Sequence, residues 1–111
     1  MIRVDIDDMN SFRLMLNANG NEYIDAILDS RVALFVNNTR EMFASCKLSC
    51  VSTDEKESFS VRIPRKLLLS FASAGYFTIS CSESEVAIAF FEQDEFGVSL
   101  TCKVTFARQQ I

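Results

Sequence analysis

Apolar and polar positions alternate along most of this chain, and twice the alternation gives way to a helical spacing. In 2–7, Ile2, Val4 and Ile6 alternate with Arg3, Asp5 and Asp7, the period-two pattern of a half-buried strand. Asp7 or Asp8 offers a carboxylate to the free amides of a first helical turn, so a helix over about 8–19 is predicted. Met9, Phe12 and Leu16 recur at helical spacing and form its buried stripe, with Asn10, Arg13 and Asn17 on the opposite one. Gly20 suits the position just past the helix end. Strands are predicted near 22–28, 31–37 and 41–52, with turn chemistry at 29–30 and 37–40. In the last of these Met42, Ala44, Cys46, Leu48 and Cys50 alternate with Phe43, Ser45, Lys47 and Ser49. The charged stretch at 53–58 is a solvated connection.

The same order then returns. Phe59, Val61 and Ile63 alternate with Ser60 and Arg62. Pro64 suits a first helical position, because its fixed φ is already helical. A helix over about 64–74 turns Leu67, Leu68 and Phe71 inward, with Lys66, Ser70 and Ser73 on another face. Strands near 76–82, 85–92 and 97–107 follow, with turns at 83–84 and 93–97. Residues 2–52 and 59–107 therefore read as two copies of one β-α-β-β-β unit. Gly20 matches Gly75, Ile24 matches Ile79, the run from Val32 matches that from Val86, and the run from Ser45 matches that from Thr101. The expected fold is α+β: a single domain over 1–111, with a duplicated unit whose two helices pack on antiparallel sheets.

Composition narrows the function. At 111 residues the chain is one domain that buries roughly two-thirds of its unfolded surface. With 49% hydrophobic residues, ten of them Phe, it can own a core and is not expected to be disordered. A net charge of −4 gives no general attraction to nucleic acid or anionic membrane, so DNA contact needs a local basic face. No apolar run is long enough for a transmembrane helix, and the alternating, acidic start is unlike a signal peptide. Cys46, Cys50, Cys81 and Cys102 occur without His and without a C-x-x-C pair, which argues against zinc. They read as reduced, buried thiols in a cytoplasmic or nuclear protein. Asp5, Asp7, Asp8 and Asp25 could in principle offer oxygens to a hard cation. No phosphate loop or nucleophile motif accompanies them, so solvated strand-face carboxylates and no enzymatic activity are expected, with no cofactor. Without His, no Ser-His-Asp arrangement exists.

The run FSVRIPRKLLLSFASAGYFTISCSESEVAIAFFEQDEFGVSLTCKVTF resembles the strand, helix and hairpins that close one domain of a DNA sliding clamp. IRVDIDDMNSFRLMLNANG resembles the opening strand and first helix. The family includes the bacterial polymerase β clamp, proliferating cell nuclear antigen and the phage processivity rings. The likeness spans nearly the whole chain and rests on the order of elements, since no catalytic motif defines the family. It implies a DNA-clamp-like domain whose helices face duplex DNA, with Arg13, Arg65 and Lys66 on phosphates and Asn10 and Asn17 beside them. One domain per chain implies a homo-oligomer closed head to tail. The joining strands would be 42–51, through Met42, Ala44, Cys46 and Leu48, and 98–106, through Val98, Leu100, Cys102 and Val104. A peptide from a DNA polymerase or clamp loader would bind near Val36, Thr39, Arg40 and Met42. The expected function is a processivity or scaffold protein. The alternatives are a solitary clamp-fold module that binds replication proteins without encircling DNA, and a structural subunit unrelated to replication.

Overall fold

Period-two alternation produces eight strands, and the two breaks in it produce two helices. The computed structural model describes residues 1–109. The elements run β1 (Ile2–Asp5), α1 (Met9–Asn17), β2 (Tyr23–Leu28), β3 (Val32–Val36), β4 (Ser45–Ser52), β5 (Phe59–Pro64), α2 (Arg65–Ser70), β6 (Tyr76–Cys81), β7 (Glu85–Asp94) and β8 (Gly97–Ala107). A strand, a helix and three strands thus occur twice in succession. All eight strands join one curled antiparallel sheet in the order β5-β2-β3-β4-β1-β6-β7-β8. The first strand of each set does not pair with the strand directly after it in that set. Instead β1 heads β6-β7-β8 and β5 heads β2-β3-β4. The two groups of four meet where Ile2, Arg3 and Val4 pair with Ser52, Val51 and Cys50. The corresponding junction between β8 and β5 is unpaired, so these two strands are the edges of the sheet.

The inward rows of the strands make the core, among them Ile2 and Val4, Ile24, Ala26 and Leu28, Val61 and Ile63, and Val86, Ile88 and Phe90. α1 adds Phe12, Met15 and Leu16, and α2 adds Leu68. A chain of rings ties the two groups together. Phe12 meets Phe35 at 5.2 Å, Phe35 meets Phe77 at 6.2 Å, Phe77 meets Phe90 at 5.4 Å and Phe90 stacks on Phe71 at 4.6 Å. Edge-on and offset pairs of this kind add about 1 kcal/mol each beyond their area.

Several expected boundaries move, each for a local reason. α1 is capped by Asp8, whose Oδ1 accepts from the Ser11 amide at 3.1 Å. Met9 lies in the first turn, ahead of the sheet, and is exposed; Met15 takes its place in the buried stripe. Gly20 does not close the helix with a left-handed residue, since Gly97 alone among the described glycines has positive φ. Pro64 ends β5 opposite Tyr23 rather than opening a helix, because its backbone is extended (ψ 125°). α2 is then a short six-residue helix, with Leu68 buried and Leu67 and Phe71 half-buried. β4 begins at Ser45, because Thr39 folds 37–44 into a loop: its hydroxyl accepts from the Met42 amide and its amide donates to the Met42 carbonyl.

The expected residue match between the two halves of the chain slips as well. Leu28 pairs with Ala33, and Cys81 pairs with Val86, so Ala33 rather than Val32 stands where Val86 stands. A one-residue slip exchanges the faces of a strand, and Val32 is accordingly exposed while Val86 is buried. Likewise Cys46 opposes Phe35 and Val104 opposes Ile88, which makes Val104 the counterpart of Cys46.

Candidate interaction surface

The helix face carries few cations. α1 and α2 touch each other. Asn10, Arg13 and Asn17 are exposed along α1, and Lys66 is exposed on α2. Arg65 has a different job. It is half-buried, its Nε donates to the Asn21 carbonyl at 2.7 Å, and its Nη1 reaches the Leu16 carbonyl at 3.4 Å. Its guanidinium therefore ties the start of α2 to the end of α1 instead of reaching out to phosphate. Leu14, 73% exposed, stands beside Arg13 on α1. Among the described residues the face thus offers two cations without a partner, Arg13 and Lys66, mixed with apolar and amide groups.

Asn37 holds the end of α1 from a loop remote in sequence. Its Nδ2 donates to the carbonyls of Met15 at 2.8 Å and of Leu16 and Asn19 at 3.3 Å, and its Oδ1 accepts from Asn21 at 2.8 Å. The helix end leaves these carbonyls short of donors, with only the Ala18 amide on Met15 and Arg65 on Leu16, and the Asn37 side chain makes up the shortfall. Asn37 is 1% exposed and is the buried polar residue of the core.

The loop it starts carries the expected peptide site, and the residues there do not converge. Val36 lines a hollow of about 300 Å³ with Tyr23, Asp25 and Arg62. Thr39 is spent on its turn, and Arg40 and Met42 are exposed beside it. A separate hollow of about 460 Å³ lies between this loop and α1, lined by Leu14, Met15, Phe43 and Ala44. Phe43, 79% exposed, is the large apolar side chain the sequence pattern placed in a strand.

The two expected joining strands differ sharply. β4 is not an outer strand: β3 pairs along Ser45–Ser49 and β1 along Cys50–Ser52. Met42 and Ala44 lie in the loop before it. Its inward residues Cys46, Leu48 and Cys50 are already buried, and the Ser49 hydroxyl donates to Asp7 at 3.0 Å, which brings the β1–α1 connection against its remaining open side. β8 is an outer strand along all eleven residues. Its inward row, Cys102, Val104 and Phe106, is only half-buried. On its outward face Leu100 pairs with Phe91, which stacks on Tyr76 at 4.9 Å, and the Arg3 guanidinium lies 3.9 Å over the Tyr76 ring. Leu100 and Val98 are 56% and 52% exposed. At the far end of the open seam Arg108 donates to the carbonyls of Ser82 and of Ser60, on β5, at 3.0 and 3.1 Å. The two sheet edges approach each other there without pairing.

The four aspartates that the sequence offered as a cluster are engaged separately within the chain. Asp5 pairs with Arg3 at 3.0 Å and Asp25 with Arg62 at 3.1 Å, while Asp7 and Asp8 hold Ser49 and the α1 cap. Hydrogen bonding from Ser11 lowers the Asp8 pKa, and backbone donors from Val32 and Arg31 lower that of Asp29. Burial pushes the thiols of Cys46 and Cys81 up, and that of Cys50 to about 11, so all three are protonated at neutral pH. Among the described residues no group of three or more His, Cys, Asp or Glu side chains is placed to hold a metal ion. No helix among them is long and apolar enough to cross a membrane. No family model, curated protein or solved structure matches the chain.

Proposed function

We propose that the protein is a non-catalytic assembly module of clamp-like fold, built on a duplicated β-α-β-β-β unit, which joins another chain by continuing its sheet at β8. The observation that supports this reading is the unpaired outer side of β8, with an apolar inward row left half-covered. A strand of that length with free amides and carbonyls is a template for another strand. Main-chain hydrogen bonds supply the attraction and the alternating side chains supply the selectivity. The module binds its partner without chemistry. The test is sedimentation velocity of wild type and Val104→Lys with purified DNA polymerase, with clamp loader and alone. A charge on the inward row is expected to abolish every association made through β8. Association unaffected by Val104→Lys refutes the reading.

A second reading, a ring of copies that encircles duplex DNA and tethers a polymerase, is favoured by the contact between α1 and α2 and the exposure of Arg13 and Lys66. Backbone contacts of this kind weaken steeply with salt. The ring reading expects DNA association that falls with salt and with Arg13→Ala plus Lys66→Ala. The module reading expects no such association at physiological salt.

A further inference from the structure

We infer that the chain continuing β8 is a second copy of this protein, paired antiparallel through β8 about a two-fold axis at Val104. The inference rests on the module reading above and names its partner. Only one of the two strands suited to joining lacks cover. The inward row of β4 is buried and its open side is met by Asp7, whereas the inward row of β8 is half-exposed. β5, the other edge, keeps its inward Val61 and Ile63 buried and has its Ser60 carbonyl taken by Arg108, so a copy that needs cover at β8 presents β8 in return, which makes the contact self-complementary.

The register follows from the strand itself. β8 carries an irregularity against Phe90 and Phe91, so Thr101 has no partner of its own on β7. From Cys102 to Ala107 the strand is regular. Pairing 102–106 of that stretch with itself, the register that keeps both inward rows on one face, puts Val104 opposite Val104 of the second copy and Cys102 opposite Phe106. The half-buried rows then close over each other on the core face. Lys103 falls opposite Thr105, not opposite another Lys, so the residue that would repel a mismatched strand is accommodated. The pairing stops short of Arg108, whose guanidinium closes the seam. It also carries the acidic hairpin tip of each copy, with Glu92, Asp94 and Glu95, alongside Arg108 of the other. Head-to-tail joining of β8 to β4 brings together neither the two apolar rows nor these charges.

The full chain tests this directly. Sedimentation equilibrium of the wild type is expected to show dimers, and Val104→Lys, which opposes two ammonium groups at the axis, is expected to weaken them at least about tenfold. Val104→Cys in a Cys81→Ser, Cys102→Ser background is expected to form a disulfide dimer with diamide: two thiols yield one S–S bond, and their two protons and two electrons reduce the diamide N=N bond. Directly opposed positions lie close enough for that bond. Circular dichroism of each variant checks that it is folded. A wild type that stays monomeric overturns the inference, while the module reading then stands or falls on the polymerase and clamp-loader mixtures. An oligomer in which the Val104→Cys variant does not cross-link, but Lys47→Cys mixed with Lys103→Cys does, overturns it in favour of head-to-tail joining.

Discussion

Replacing Asn37 with Ala removes the donor that finishes α1 and leaves its neighbours intact. The backbone amide of Asn37 still donates to the Ala44 carbonyl, and its carbonyl still accepts from Asn19. Lost are the two 2.8 Å bonds, to the Met15 carbonyl and from Asn21, and two longer ones of 3.3 Å. The Met15 and Leu16 carbonyls keep one partner each, in the Ala18 amide and Arg65, and Asn21 keeps the Asn38 carbonyl. Two good hydrogen bonds at about 1 kcal/mol each, with part of a desolvation penalty for buried acceptors left short, sum to about 2–4 kcal/mol. That is a large share of the roughly 5–15 kcal/mol typical of a domain. At about 4–8 °C per kcal/mol for a chain near this size, Tm should fall by at least about 8 °C. Urea unfolding followed by far-UV circular dichroism, with an unchanged slope, measures it. A loss under about 1 kcal/mol would refute the claim that this side chain terminates the helix. Asn37→Asp is the sharper control: it keeps the shape and turns a donor into a buried acceptor facing three carbonyls, and should be at least as damaging.

Other outcomes follow from the same structure. Arg65→Ala should lower stability by about 1–2 kcal/mol, measured by urea unfolding, because its two bonds join the helices; if it instead left stability unchanged and cut DNA affinity, its role would be phosphate binding. Phe35→Ala should cost about 3–5 kcal/mol by the same measurement, since its ring contacts both Phe12 and Phe77. The Cys50 thiol, raised from 9.0 to about 11, contributes stability that is complete below pH 9 and is lost as pH rises toward 11. Unfolding free energy at about pH 8 should therefore exceed that at about pH 10.5, and Cys50→Ala should flatten that decline. Glu57, lowered from 4.5 by the N-terminal ammonium and Ser52, acts at the other end: its contribution is present above pH 4.5 and fades as pH falls through its lowered value.

Local pattern revealed the elements well and their partners poorly. The eight alternating runs became eight strands because each alternates toward one common core. Which strand sits beside which depends on contacts distant in sequence, so nothing in 2–7 announced that β1 would leave β2 for β6. The same holds for Asn37 and Arg65. An Asn before a polar turn and an Arg after a Pro have ordinary local explanations, and their actual partners lie some twenty to fifty residues away. Met9 and Met15 both fit a helical stripe, and only the position of the sheet decides between them. The edges misled most. β4 and β8 alternate alike, yet β1 lies along part of one while the other is left open. Thr39 carries the turn expected at 37–40 on into the apparent strand as far as 44, and with it comes the exposure of Phe43. A Ser or Thr hydroxyl that can reach back to its own backbone was the available signal.

If β8 is where this protein meets another chain, sedimentation equilibrium of wild type beside Val104→Lys shows it most directly. The expected result is a concentration-dependent dimer that the lysine weakens at least about tenfold in a folded chain. Identical association of the two proteins, or none by either with itself or with a replication protein, would contradict it.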